Sequence, residues 1–416
     1  MSPAIKTHLP VALIFSCFLL FPFSRSVELP VLIMTVSGIV LAWRQRHTLV
    51  QMPAARLFSV LALCIWIPML LSFPDTYSVK KTGGTILAFF RLYFTGLFVI
   101  WALQDAQRVR LLVTLLAGLA AFWISDALFQ AIVGHDVLGY ARIPSRLNGV
   151  FGETDWSLGV ALPVLLPFLL LAARNKPWLL AGAFVASTVV VLMAGSRGGW
   201  VSYAVVCSII LFSEIRIRNI PLWKIGLLGV VIAEVGLIAV LKYSEAIRLD
   251  QTLLLFSGDE ASIDRALSNR WTLWKTSARM IEAHPVNGVG IRAFRFAYPD
   301  YAEPGDPMVN PDKTTGRITG AAYAHQIVLE VLSEAGVIGL AGLAAFYVVL
   351  IRAWQRADAR DRNRAFPFAL AALAWLFPLN THTAFYSSQW SQLVWLLLAL
   401  YCATVLRSQA RTAVTV

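Results

Sequence analysis

The sequence predicts an all-α, polytopic membrane protein of about twelve transmembrane helices, with one long, partly helical loop outside the cytoplasm. Hydrophobic residues make up 58% of the 416-residue chain and charged residues only 14%, whereas a soluble domain carries about 25% charged residues. The apolar stretches are long enough to cross a bilayer, which takes roughly 17 to 25 residues each. Most of the surface is therefore expected to face lipid.

Twelve apolar runs follow one another, and short polar turns separate most of them. In chain order they lie at about 9–24, 27–43, 57–74, 83–103, 108–132, 157–173, 177–194, 198–213, 222–241, 321–351, 365–381 and 389–406. The connection from Lys242 to Gly320 is different, because it is about 80 residues long and contains no spanning run. We therefore predict transmembrane helices one to nine in residues 1–241, a cap in residues 242–320 and helices ten to twelve in residues 321–416.

The distribution of positive charge predicts the orientation. If the N-terminus is cytoplasmic, the cytoplasmic connections and tails carry 18 of the 35 basic residues and four of the 23 acidic ones. An excess of Lys and Arg in short cytoplasmic loops is the positive-inside pattern. The prediction is a multi-pass protein of the plasma membrane with both termini cytoplasmic and the cap outside. The net charge of +12 is spread over these loop ends, which argues against binding to nucleic acid.

The cap is expected to contain a helix over residues 269–281. Its apolar stripe is predicted to consist of Trp271, Trp274, Ala278 and Ile281. The stretch 284–290, His-Pro-Val-Asn-Gly-Val-Gly, is typical of a turn that ends the helix. The cap is thus predicted to be folded and to rest on the membrane helices.

The outer side offers arginines and one histidine as candidate chemistry. Arg197 lies in the turn Ala-Gly-Ser-Arg-Gly-Gly between spans seven and eight, and its fork suits a phosphate or pyrophosphate oxygen. The alternative is that Arg197 reaches lipid headgroups. Arg142 and Arg146 stand four residues apart in another outer loop, where ordinary loop charge is the competing interpretation.

Arg270 in the cap and His325 at the start of span ten form the third candidate. A histidine is the natural proton acceptor near neutral pH, although an isolated one is more often an interfacial residue. If the segment is helical, Glu334 faces away from His325 and cannot orient its ring. The spacing of Gly336, Gly339 and Gly342 is expected to permit close helix packing.

Several chemistries lack support in the sequence. It contains no His-Glu-x-x-His, Gly-x-Ser-x-Gly or P-loop pattern. It also lacks an Asp-x-Asp pattern or clustered carboxylates on the outer face, so we expect neither a metal site nor a cofactor. The set of arginines and one histidine fits a substrate with an anionic leaving group.

Together these features resemble the O-antigen ligase family of Gram-negative bacteria, within the O-antigen ligase and polymerase superfamily. The strongest likeness is His325-Gln326, nine residues, then Gly336-x-x-Gly339, directly after the long loop. The Gly-Ser-Arg-Gly turn at Arg197 is similar to the family's. So is the stretch from Arg270 that reads Arg-x3-Trp and then His-Pro-x-x-Gly-x-Gly.

The resemblance implies a fold like that of C-type glycosyltransferases and an activity at the periplasmic face of the bacterial inner membrane. A glycan would pass from undecaprenyl pyrophosphate to lipid A–core, without a metal and with inversion, and membrane lipids would surround the enzyme. His325, Arg197 and Arg270 would be catalytic. His325 would accept a proton or bind a phosphate as imidazolium, while Arg142, Arg146 and Arg265 would bind substrate.

Two rival functions remain at this point. The nearer one is an O-antigen polymerase or a protein O-glycosyltransferase of the same superfamily, which differs in its acceptor. The more distant one is a transporter of lipid-linked glycans. Transporters tend to place charges in mid-membrane and to contain two similar halves, and neither feature is evident in this sequence.

Overall fold

The structure is a computed structural model that describes residues 3–143, 146–152, 157–218, 254–312, 316–379 and 384–406. The predicted ninth span, at 222–241, lies outside the described residues. The α-helices, in chain order, are α1 (Pro3–Leu19), α2 (Glu28–Arg44), α3 (Arg46–Gln51), α4 (Pro53–Leu71), α5 (Val79–Ala102), α6 (Ala106–Val133), α7 (Leu158–Ala173), α8 (Pro177–Met193), α9 (Arg197–Arg218), α10 (Glu260–Ala266), α11 (Arg270–Ala283), α12 (Phe294–Tyr301), α13 (Ile327–Arg356), α14 (Ala359–Leu376) and α15 (Ser388–Val405). A short antiparallel hairpin joins β1 (Asn310–Pro311) to β2 (Ile318–Thr319).

Six helical segments among the described residues are long and apolar enough to cross a membrane. They are Arg25–Arg44, Pro53–Leu71, Val79–Ala102, Ala106–Val133, Arg197–Ile217 and Ile327–Arg356. Shorter apolar helices run over His8–Leu19, Leu158–Ala173 and Pro177–Met193. A helical, multi-pass membrane protein is therefore confirmed. The number of twelve spans, the orientation and the placement of the cap stay predictions.

Local sequence explains where α6 begins and ends. The side chain of Asp105 accepts a hydrogen bond from the backbone N–H of Gln107 at 2.8 Å, which satisfies one of the free donors at the helix start. Gly134 then ends the helix with a φ of 93°, a left-handed conformation that costs glycine little. The following loop, which carries Arg142, thus leaves the helix at a defined point.

The chain divides into two compact units by its internal contacts. The first consists of Met1–Val27, Asp105–Thr252 and Phe366–Phe377. Within it, α7 packs against α6, α8 and α9, and α6 also contacts α1. This division follows contacts, whereas the division into membrane segments and a cap remains a prediction.

The second unit consists of Glu28–Gln104, Leu253–Ala365 and Pro378–Val416. Its membrane part is built from α2 against α5, α13 against α4, and α15 against both α4 and α5. The cap helix α11 packs on α13. The second unit therefore contains residues 253–320 of the cap and the helix that follows His325.

The core of the cap differs from the predicted stripe on α11. The buried residues of this helix are Leu273, Thr276, Ser277 and Met280. Trp271 is 40% exposed and Ala278 is also exposed, so the prediction of an apolar stripe through these two residues was wrong. Two hydroxyl residues take their place at buried positions. Ser277 is satisfied there because its hydroxyl donates to the carbonyl oxygen of Leu273 at 2.8 Å.

Candidate active site

His325 stands immediately before α13, in a backbone conformation that few residues adopt. Its φ is 53°, in the left-handed region that costs a side-chain-bearing residue about 1–2 kcal/mol. Its ring packs against that of Tyr323 in a tilted arrangement, with the ring centroids 4.0 Å apart and an interplanar angle of 40°. Strained residues of this kind are concentrated at functional sites. The backbone conformation therefore makes His325 a candidate functional residue.

Gln326, the next residue, fixes the point at which the helix begins. Its side-chain oxygen accepts from the backbone N–H of Leu329 at 2.7 Å and caps the helix. Its side-chain nitrogen donates to the carbonyl oxygen of Pro378 at 2.9 Å. Span ten was predicted to start at 321, but α13 starts at Ile327 because His325 and Gln326 have non-helical backbones.

Tyr323, which contacts His325, interacts electrostatically with Glu330, Arg270 and Arg292. Burial raises the pKa of its phenol, and the carboxylate of Glu330 raises that pKa further, while the guanidinium groups of Arg270 and Arg292 lower it. The charges of both arginines therefore act on the phenol of Tyr323, whose ring packs against His325. The predicted pair, Arg270 and His325, is linked through Tyr323, whose ring contacts His325 and whose pKa is lowered by the charge of Arg270. The structure adds Arg292 and Glu330, which the sequence did not single out.

Glu330 and Glu334 lie one helical turn apart on α13, and both are fully buried. Glu330 accepts hydrogen bonds from the backbone N–H groups of Phe385 and Tyr386, at 3.1 and 3.2 Å. Glu334 accepts one from the backbone N–H of Arg292 at 2.7 Å. This buried carboxylate pair was not expected. The available signal was two glutamates four residues apart in an apolar run, where charge is costly and points to function.

The α13 helix is broken at Gly336, whose φ of 62° and ψ of −159° are not helical. The cap segment 285–290 fills the break with backbone hydrogen bonds. Val289 and Gly290 donate to the carbonyl oxygens of Ser333 and Glu334, while Val337 and Ile338 donate to those of Pro285 and Val286, all at 2.8–3.2 Å. A Cβ on Gly336 would lie 2.2 Å from the oxygen of Val286. The His-Pro-x-x-Gly-x-Gly stretch at 284–290 and the motif that contains Gly336 therefore pack directly on each other.

The expectation that Gly336 serves close helix packing was therefore wrong, because it is needed for the break. Gly342 does fit that expectation: a Cβ there would lie 2.3 Å from the carbonyl oxygen of Cys64 on α4. Non-helical backbone at membrane depth is tolerated where protein surrounds and satisfies it. The cap segment provides these partners.

Arg265 has its partners on its own helix. Its guanidinium donates to the hydroxyl of Ser262 at 3.0 Å and to the carbonyl oxygen of Ala261 at 3.4 Å. The residue is exposed. The structure therefore does not place Arg265 with the group around Tyr323.

The other three predicted arginines lie in the first unit. Arg197 is the first residue of α9, directly after Gly195 and Ser196 in the turn that ends α8. The loop that carries Arg142 and Arg146 joins this turn, because the backbone N–H of Leu147 donates to the carbonyl oxygen of Met193 at 2.9 Å. The two loops that carry these arginines are thus neighbours within the unit.

That loop is held by buried polar side chains. The side-chain oxygen of Gln130, on α6, accepts from the backbone N–H groups of Asn148 and Gly149 at 3.1 and 3.0 Å. Its side-chain nitrogen donates to the carbonyl oxygen of Tyr140 at 3.2 Å. Gln130 and Asn148 are both buried, and no sequence pattern pointed to either.

Within the residues that the structure describes, no group of three or more His, Cys, Asp or Glu side chains could hold a metal ion. The site is instead defined by a histidine, arginines, a tyrosine and two buried glutamates. Arginine forks and a half-buried imidazole can bind an anion and accept a proton.

A comparison with protein families identifies the domain that holds these residues. Residues 182–344 match the family model described as O-antigen ligase. The chain carries an O-antigen ligase domain. The match confirms the resemblance inferred from the motifs, and the domain includes Arg197, Arg270, Arg292 and His325. No curated protein matches the chain.

The match covers less than half of the chain and supports a relation to the O-antigen ligase and polymerase superfamily. The matched family is one of glycosyltransferase-like O-antigen ligases and polymerases. Arg142 and Arg146 precede the matched residues. Their loop therefore belongs to the part of the chain outside the O-antigen ligase domain.

Proposed function

We propose that the protein transfers a glycan from undecaprenyl pyrophosphate to lipid A–core in the periplasmic leaflet of the inner membrane, which completes lipopolysaccharide. The observation that carries the proposal is the placement of His325 on Tyr323, within range of Arg270, inside the O-antigen ligase domain. The apolar helices support a donor and an acceptor that are both lipids.

In the proposed reaction, a hydroxyl oxygen of the acceptor attacks the anomeric carbon of the glycan. The bond from that carbon to the pyrophosphate oxygen breaks, and undecaprenyl pyrophosphate leaves with the electron pair. Attack from the opposite face inverts the anomeric configuration. His325 accepts the hydroxyl proton as a general base.

The arginines are assigned to the leaving group. Arg197 and Arg270 bind the pyrophosphate and stabilise the negative charge that grows on it in the transition state. Arg142 and Arg146 bind phosphate groups of the donor or acceptor. Arg265 is the least favoured of the predicted phosphate-binding residues, because its described contacts are with its own helix.

The test is ligation by purified protein in nanodiscs, with undecaprenyl-pyrophosphate glycan and lipid A–core as substrates and EDTA present. The variant should be His325→Asn, because asparagine tolerates a positive φ better than alanine does. It removes the imidazole without straining the backbone. We expect product from the wild type and a loss of at least about a hundredfold in rate for the variant, with unchanged thermal unfolding. Full activity of folded His325→Asn would exclude His325 as the base, and EDTA sensitivity would exclude the metal-free reaction.

The acceptor separates the proposal from its rivals. Growth of the glycan on its own lipid carrier would identify a polymerase, and transfer to a protein hydroxyl would identify a protein O-glycosyltransferase. Movement of the lipid-linked glycan across the bilayer by folded protein, without transfer, would identify a transporter.

A further inference from the structure

Arg292 has an unusual backbone that a buried carboxylate fixes. Its φ is 61°, and its N–H donates to Glu334 Oε2 at 2.7 Å. This hydrogen bond offsets part of the cost of the left-handed conformation.

The residues on both sides of Arg292 are also held in place. Gly290 donates to the carbonyl oxygen of Glu334 at 3.0 Å, and the carbonyl oxygen of Ile291 accepts from the hydroxyl of Thr82 at 2.8 Å. From Val289 to Phe294, every residue except Arg292 is buried. Hydrogen bonds and the burial of its neighbours thus hold the backbone at Arg292 in place. Arg292 itself is only partly buried.

Arg292 is joined to α13 by its hydrogen bond to Glu334, on the helix that begins just after His325. It lies within electrostatic range of Tyr323 and of the carboxylates of Glu330 and Glu334. It forms no side-chain hydrogen bond and no ion pair within 4 Å with the residues that the structure describes. Its five donors are therefore open to a ligand near the N-terminal part of α13.

We propose that Arg292 is a further anion-binding residue for the phosphates of the donor, next to Arg270, and that Glu334 is the residue that positions it. The assignment rests on the proposed function, because it takes the anion to be the pyrophosphate of the lipid-linked donor. A planar guanidinium fork binds two phosphate oxygens at once. The competing explanation is that Arg292 only neutralises the buried glutamates.

The first experiment measures binding of undecaprenyl pyrophosphate to the full-length protein in nanodiscs. We expect Arg292→Gln to raise Kd about tenfold to a hundredfold, as for the loss of charged hydrogen bonds. Arg292→Lys should lie between this variant and the wild type, because it keeps the charge without the fork. Arg317→Gln is the control, since Arg317 lies over the ring of Phe296 in the cap, and it should bind like the wild type.

The second experiment separates anion binding from charge neutralisation. If Arg292 only neutralises the glutamates, the double variant Arg292→Gln/Glu334→Gln should regain wild-type Kd and thermal unfolding. If Arg292 binds the donor, the double variant should regain stability but not affinity. Wild-type affinity in folded Arg292→Gln or in the double variant would overturn the assignment. Failure of the wild type itself to bind undecaprenyl pyrophosphate would instead overturn the proposed function.

Discussion

The indole N–H of Trp274 donates to the carbonyl oxygen of Ala324 at 3.1 Å. Ala324 is fully buried and directly precedes His325. The bond therefore ties the cap helix α11 to the backbone that holds the candidate base. It gives the cap a part in positioning the site.

Substitution of Trp274 by Phe should destabilise the protein by about 1–3 kcal/mol, the cost of a buried carbonyl group without a partner. The phenyl ring keeps most of the packing. Thermal unfolding in detergent and the rate of glycan transfer would report the loss. Trp271→Phe is the matched control, because the indole of Trp271 donates to the exposed Glu260. Equal effects of the two variants would contradict the prediction.

Gly336→Ala should destabilise the broken helix by more than about 1–2 kcal/mol, which is the cost of its backbone conformation alone. The clash with Val286 adds to this cost. The comparison is Gly84→Ala in α5, where a Cβ has no atom within 4 Å. That change should be neutral or stabilise the helix by up to about 1 kcal/mol. Equal unfolding temperatures for both variants would show that Gly336 does not require its conformation.

Gln326 makes two separable contacts, to Leu329 and to Pro378. Gln326→Ala should lose both and cost about 1 kcal/mol for the helix cap alone. Gln326→Asn should keep the cap but fall short of Pro378, so its loss of stability should be smaller. Chemical unfolding would measure the difference. An Asn variant as unstable as the Ala variant would assign the main effect to Pro378.

Gln130→Met should release the loop that carries Arg142 and Arg146. It leaves the buried N–H groups of Asn148 and Gly149 without acceptors, at about 1–3 kcal/mol each. Hydrogen exchange should increase over residues 140–152 and stay unchanged over α11.

Gln107→Met, at an exposed position on the same helix, is the control for this loop and should leave exchange unchanged. If Gln130→Met also leaves exchange in the loop unchanged, Gln130 does not organise it.

The sequence predicted what depends on local pattern. Most of the apolar runs appear as helices in the part of the chain that the structure describes, although residues 72–74, 321–326 and 377–379 are not helical. The cap helix expected at 269–281 is found at Arg270–Ala283. Residues 284–290 form the turn that follows the helix, as predicted. Periodicity and glycine content carry this information within a single stretch of chain.

The rest of the site depends on contacts between distant stretches. The break at Gly336 is satisfied by residues 285–290, and nothing near Gly336 in the sequence announces these partners. The role proposed for Arg292 likewise depends on the hydrogen bond from its backbone N–H to Glu334. The predicted stripe on α11 failed because Thr276 and Ser277 are buried with polar atoms, which an apolar pattern does not anticipate.

The filled break in α13 also constrains how the protein is made. Residues 285–290 leave the ribosome before Gly336 does, so the cap is synthesised while its backbone partners do not yet exist. Its loop can reach its final pairing only after the following helix has entered the membrane. Contacts between distant segments are slow to form. Insertion of that helix and completion of the cap are therefore expected to be one late, shared step of biogenesis.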